Sequence, residues 1–187
     1  LFNIEMGDAA KQSQVRVELL RAIAKQESRF APGVTSPTGA IGLMQLMPAT
    51  ASEMAQESLT TAMIREPERN IRLGARYLDR LLQFWDGNPF LSIASYNAGP
   101  GAGASWPKPT GDDDPALWIE RIPYPETRYY TKKVIDNLLG YADLSSSGCE
   151  PVGRGMGQSR AGGDAAVDNR TEQNERRERS GNNADAG

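Results

Sequence analysis

The chain has 187 residues, 39% hydrophobic and 24% charged, with a formal net charge of -3. That length suits one globular domain with a real core plus a tail, and the near-balanced charge offers no electrostatic footprint for nucleic acid. There is no histidine and a single cysteine, Cys149, which excludes Ser-His and Cys-His nucleophiles, the common histidine metal sites and an internal disulfide.

No apolar run approaches the roughly 20 residues that a membrane span requires. No leader pattern is visible, but the chain opens on Leu1 rather than Met, so a trimmed leader stays open. Residues 11–143 read as one mainly α domain. Val15, Leu19, Ile23 and Phe30 mark a first amphipathic helix ending near Arg29, with Pro32-Gly33 beyond it as a stop. A loop follows to about Met47, with room for at most a small β-hairpin between Val34 and Gln45. Pro48 then opens a helix to about Glu57. The run "PERNIRLGARYLDRLLQFWD" carries a strong helical period, and "NPFLSIASYNAGPG" reads as a short helix stopped by Gly99-Pro100-Gly101. After a loop closed by the acidic "GDDDP", "ALWIERI" is a short helical piece. Pro125 opens a last helix with Thr127, Tyr130, Val134, Leu138 and Tyr141 on one face. From residue 145 to 187 there is no aromatic residue and little aliphatic content, so this tail is expected to be disordered.

Glu27 is the first candidate for chemistry. It shares a helix stripe with Leu19 and Ile23, eight and four residues back. A carboxylate there must be paired, protonated or used. Apolar neighbours and the helix C-terminus both push its pKa up, as a general acid near neutral pH requires. A buried structural glutamate bonded to loop amides fits the same local pattern. In "SPTGAIGLMQLMP", Gly39 and Gly42 bracket a turn that can bring backbone close to a ligand, and Ser36 and Gln45 are of the type that reads sugar hydroxyls and acetamido groups. Met44 and Met47 add adaptable apolar contact. Tyr96 and Asn97, at the end of an otherwise apolar helix, either line a cleft or cap the helix. Glu126 stands in a first helical turn, where the dipole alone favours an acid.

Taken together, "QES", "GLMQLMPATA", "NIRLGARYL", "SYNAGPG" and "IPYPETRYY" occur in the order found in one known family. From about Val17 to Tyr141 the chain resembles the catalytic domain of the soluble lytic transglycosylases, whose fold is lysozyme-like within the α+β superfamily. The resemblance implies cleavage of the β-1,4 MurNAc-GlcNAc bond of peptidoglycan glycan strands, leaving 1,6-anhydro-MurNAc ends, in the periplasm or cell envelope. By position it makes Glu27 the single catalytic acid. Ser36, Gln45, Met47, Tyr96 and Glu126, together with Asn97 beside them, would hold the glycan. The expected protein is a monomer that needs no metal or organic cofactor.

Most glycoside hydrolases use two carboxylates. Here one acid is well placed and no second stands in register with it, which suits a reaction with an internal nucleophile. A goose-type muramidase, with water as nucleophile and Glu126, Glu120 or Asp86 as base, is the nearest alternative. A catalytically silent glycan-binding module is the next. Two departures stand out. Ser95 replaces the alanine that often precedes the Tyr-Asn pair, and these 187 residues hold no counterpart of the long helical superstructure of the larger soluble members.

Overall fold

The computed structural model describes residues 1–110 and 112–146. Helix α1 (Asn3–Gln12) buries Met6, Ala9 and Ala10, an i, i+3, i+4 set that forms one face. It packs on α5 (Pro67–Phe84) and on α2 (Val17–Ser28). Residues ahead of position 11 therefore contribute to the core. The sequence reading missed this helix because its buried face is mostly alanine.

Helix α2 buries Leu19, Leu20, Ala22, Ile23 and Ala24 and packs along α9 (Pro125–Ser146). Its end is abrupt. Arg29 and Phe30 both take left-handed backbone, with φ of 51° and 62°, which is uncommon for residues other than glycine. The Arg29 amide donates to the Lys25 carbonyl at 3.0 Å, and Ala31 donates to the Ser28 carbonyl at 3.0 Å. The chain then enters a loop with no regular strand. In place of the expected hairpin there are two isolated antiparallel bridges, Thr35 with Ile41 and Ile41 with Leu46. Ile41 exchanges both backbone bonds with Leu46, at 2.9 and 3.1 Å.

Helix α3 (Pro48–Ala55) begins at the expected proline. A five-residue helix not anticipated from the sequence, α4 (Thr61–Arg65), follows, with the Thr60 side chain accepting from the Met63 amide. The long α5 buries Asn70, Ile71, Leu73, Gly74, Ala75, Leu78 and Leu81. It touches α1, α2, α3, α4 and α6 (Pro89–Ala98), which makes it the central strut. Asn88 caps α6 through bonds to the Phe90 and Leu91 amides at 3.0 and 3.1 Å. Gly99 breaks α6 as read, but Pro100 immediately starts another turn, α7 (Pro100–Gly103). Helix α8 (Pro115–Glu120) is capped by Asp114. The last helix, α9, runs to Ser146, past the boundary expected near Leu144. The remainder of the expected tail lies outside the described residues.

Two apolar clusters result. The larger joins α1, α2, α5 and α9 around Leu20, Ile23, Leu43, Met44, Ile71, Leu78 and Val134. The smaller gathers Trp85, Leu91, Ala94, Trp106, Trp118, Ile119 and Ile122 beneath α6 and α8. Two of its three indoles are tied in: Trp85 Nε1 donates to Ser95 Oγ at 2.8 Å, and Trp118 Nε1 to the Pro107 carbonyl at 2.6 Å. Ser95, the departure noted above, thus has a specific partner.

Gly74 lets the loop reach α5. A Cβ at this position would stand 2.5 Å from Met44 Cγ and 2.6 Å from Met44 Cβ. Alanine is the better helix former by about 1 kcal/mol, but overpacking costs about 1–3 kcal/mol. Gly74→Ala is therefore expected to destabilise the fold by up to about 2 kcal/mol in urea unfolding. A stabilised variant would contradict this close approach.

Candidate active site

Glu27 lies in the last turn of α2, at the point where the stripe of Leu19 and Ile23 leaves the core. Both of those residues are buried, whereas Glu27 is half-buried. Its carboxylate is held from across the structure. The Tyr130 hydroxyl, on α9, donates to Glu27 Oε1 at 2.9 Å. Tyr130 is itself buried, so its ring is fixed by packing before the bond forms. The α2–α9 contact is reinforced further along both helices by Asn137 Nδ2, which donates to the Ala22 carbonyl at 3.3 Å. These contacts give the acid a defined direction, which a carboxylate on a free helix end lacks.

The next residue, Ser28, faces inward. Its hydroxyl lies 3.1 Å from the Ala24 carbonyl and 2.8 Å from the Leu43 carbonyl. Through Ser28, the helix end that carries Glu27 is joined to the turn 41–46. That turn is fastened at nearly every residue. Asn70 Nδ2 donates to the Ile41 carbonyl at 2.9 Å, and Gln45 Nε2 donates to the Gly42 carbonyl at 2.7 Å. The Met44 amide donates to Asn70 Oδ1 at 2.7 Å, and the Tyr96 hydroxyl donates to the Met44 carbonyl at 2.9 Å.

This arrangement sorts the residues picked from the sequence. Ser36, Gln45 and Tyr96 are all buried and bond to the loop's own backbone. Ser36 Oγ accepts from the Ala40 amide at 2.9 Å and lies 3.0 Å from Thr38 Oγ1. Gln45 has left-handed backbone (φ 47°), and its Nε2 also donates to the Val34 carbonyl at 3.0 Å. Tyr96 packs against Tyr77 with ring centroids 5.1 Å apart. Met47 is half-buried at the residue before α3.

Asn97 and Glu126 are half-buried as well. Asn97 Oδ1 accepts from Thr127 Oγ1 at 2.9 Å, joining the end of α6 to the first turn of α9. Glu126 stands four residues before Tyr130 on α9, on the same helix face. The structure thus brings Glu27, Tyr130, Thr127, Asn97 and Glu126 to the helix ends of α2, α6 and α9, with the turn 41–46 fastened to the same α2 end.

Tyr130, Ser28 and Thr127 were not singled out as site residues from the sequence. One signal was available for Tyr130: a tyrosine on an apolar stripe brings a hydroxyl that needs a partner. Two other acids have local roles. Glu120, exposed, is paired with Lys132, which holds its carboxyl below the usual range. Asp113 is held low mainly by bonds from the Thr110 amide and hydroxyl, so it shapes the loop before α8. Among the described residues no group of His, Cys, Asp and Glu could hold a metal ion, and no helix is long and apolar enough to cross a membrane.

The transglycosylase SLT domain family matches residues 5–119. A soluble lytic murein transglycosylase of Salmonella typhimurium is 41% identical over 120 residues, covering 61% of this chain and 19% of that protein. A membrane-bound lytic murein transglycosylase F of Yersinia enterocolitica is 37% identical over 129 residues, covering 59% of this chain and 26% of that protein. Among solved structures, an inactive glutamate-to-glutamine mutant of lytic transglycosylase Slt from Pseudomonas aeruginosa superposes with a TM-score of 0.72. The identity is 36%, over 77% of this chain and 24% of that one. The 70 kDa soluble lytic transglycosylase of Escherichia coli gives a TM-score of 0.69 at 31% identity, again over 77% and 24% of the two chains. The chain therefore spans only about a fifth to a quarter of the relatives it matches. With that match across more than half of the chain, and with the helical architecture of those structures, the chain belongs to the transglycosylase SLT domain family.

Proposed function

We propose that this domain is a lytic murein transglycosylase that cuts the β-1,4 MurNAc-GlcNAc bond of peptidoglycan with Glu27 as its one acid-base group. The observation that carries the reading is the half-buried Glu27 carboxylate, oriented by the buried Tyr130 hydroxyl at 2.9 Å. A general acid works only when its proton is aimed at the leaving oxygen, and an oriented carboxyl meets that condition. The relatives agree in kind. They are lytic murein transglycosylases, and one solved neighbour is inactive with a glutamate changed to glutamine.

In the proposed reaction Glu27 gives its proton to O4 of the departing GlcNAc as the C1–O4 bond breaks. The acetamido oxygen of the same MurNAc attacks C1 from the other face and holds it as a cyclic intermediate. The Glu27 carboxylate then takes the proton of the C6 hydroxyl, and O6 closes on C1 as the acetamido oxygen leaves. Glu27 ends protonated as it began, and no water is consumed. Asn97 and Glu126, half-buried at the ends of α6 and α9, are positioned as polar contacts for the glycan. Ser36, Gln45 and Tyr96 act by shaping the turn that forms one wall, and half-buried Met47, just after it, offers the glycan an adaptable apolar contact. Work on peptidoglycan places the domain in the periplasm or cell envelope, and nothing in this scheme calls for a partner subunit or cofactor.

The goose-type alternative needs a second group to activate water. Glu120, one of the acids that could serve, is exposed and committed to Lys132, which disfavours it for that task.

Glu27→Gln keeps the shape and removes the proton. Turnover of purified glycan strands is expected to fall by at least about 10²–10⁴-fold with the melting temperature nearly unchanged. Near wild-type activity would refute the assignment. Tyr130→Phe keeps the buried ring and removes the orienting bond, so kcat should drop by about 10–100-fold with KM little affected, a smaller loss than for Glu27→Gln. The released strands should carry anhydro ends that resist borohydride labelling. Labelled, reducing MurNAc as the main product would instead assign the domain as a hydrolase.

A further inference from the structure

The buried polar residue in the first turn of α5 has no obvious place in a core. Asn70 is fully buried, flanked along its helix face by Ile71, Leu73 and Gly74. Three polar contacts account for both its amide protons and its carbonyl oxygen. Nδ2 donates to the Ile41 and Ile64 carbonyls, both at 2.9 Å, and Oδ1 accepts from the Met44 amide at 2.7 Å. Two of these partners bracket the turn 41–44, and the third lies in α4. The turn is built to receive the amide. Gly42 has φ of 78°, and a Cβ there would stand 2.6 Å from Asn70 Nδ2. Glycine serves here both for its backbone conformation and for the room it leaves.

On the reading of the site given above, we infer that Asn70 is a positioning residue for catalysis: it sets where the turn 41–46 stands relative to Glu27. The turn closes on itself through the Ile41–Leu46 pair, at 2.9 and 3.1 Å, and through Gln45 N–H to the Gly42 carbonyl at 3.1 Å; these bonds set its shape, while its place against the helices depends on what grips it from outside. Asn70 grips both ends of the 41–44 segment from α5. On the far side, the Leu43 carbonyl receives Ser28, the residue after Glu27. A shift of the turn is therefore passed to the helix end that carries the acid, and also to the Met44 carbonyl that anchors Tyr96. An aliphatic side chain here would fill the space but leave the buried Met44 amide without its acceptor, so the amide at this depth answers to the turn it holds.

The test compares Asn70→Ala with Leu78→Ala, two turns along the same helix in the same core. All variants are assayed well below their melting temperatures, alongside the intact wild-type chain. In Asn70→Ala, amide exchange at Met44 and its turn should speed up by at least about 100-fold, while α2 and α9 amides slow or quicken only with global stability. With purified glycan strands, kcat should fall by about 30-fold or more and KM should change less than about threefold. Leu78→Ala, despite an equal or larger loss of melting temperature, should keep kcat within about threefold.

Wild-type kcat in folded Asn70→Ala, or a parallel loss in Leu78→Ala, overturns the inference. If Asn70→Ala does not fold, Gly42→Ala crowds the same amide from the turn and is read the same way, with a wild-type kcat again overturning it. Failure of both to fold assigns Asn70 to stability alone and also overturns it. A wild type that releases no product fails the reading of the site itself, whereas an active wild type with an indifferent Asn70→Ala fails only the positioning role.

Discussion

The backbone carbonyls of residues 41–44 are the constraint on which the site rests. They lie in a buried turn that belongs to no helix or sheet, and a buried carbonyl without a donor costs about 1–3 kcal/mol. Here each of the four receives a side-chain donor. Asn70 of α5 serves Ile41, Gln45 of the turn itself serves Gly42, Ser28 of α2 serves Leu43, and Tyr96 of α6 serves Met44. Hydrogen-bond satisfaction therefore does what a sheet would do elsewhere. It also draws three helices to one spot. Since the α2 contribution comes from the residue next to Glu27, the rule that buried polar groups be paired fixes the surroundings of the acid as well.

The other half of the site depends on α9. Tyr130 reaches Glu27, Thr127 reaches Asn97, and Glu126 shares the face of Tyr130 one turn earlier. Proline at position 125 starts this helix where its missing amide proton costs nothing. Glu126 then sits in the first turn, where the dipole favours it. The feature that looked like simple helix chemistry is thus also what delivers the polar face to the ends of α2 and α6. The two explanations for Glu126, dipole and glycan contact, are compatible.

How much of this was legible in the sequence varies by element, for physical reasons. The helices with a wide apolar stripe or a proline start, α2, α3, α5, α6 and α9, stood out because their period is carried by large residues. Helix α1 was missed because Ala9 and Ala10 bury well but signal weakly, and α4 because five residues do not establish a period. Helix α7 was read as a stop, since "PGAG" is built from the residues that usually end helices. For the site, the stripe of Leu19, Ile23 and Glu27 was readable because it is local. The bond from Tyr130 was not, since it spans 103 positions in the chain. Ser36, Gln45 and Tyr96 were identified as important, but their polar groups were expected to face sugar. In the structure these groups face the loop backbone, because the buried peptide groups of an irregular loop need partners that no helix or sheet supplies.

These residues form one network, so their contributions should not be independent. Ser28, Gln45, Asn70 and Tyr96 all act on four consecutive peptide groups, and a change that lets the turn move alters the geometry met by the other three. Residues that share a partner typically couple by about 0.5–3 kcal/mol, whereas distant sites add. The second apolar cluster stands apart from this coupling. Trp85, Trp106 and Trp118 support α6 and α8 from beneath, and the Trp85–Ser95 bond meets α6 one residue from Tyr96. A domain of this size can therefore hold one strained, densely bonded turn because a separate aromatic cluster stabilises the helix on which Tyr96 and Asn97 stand. Stability and site geometry are carried largely by different side chains, with α5 and α6 as the elements common to both.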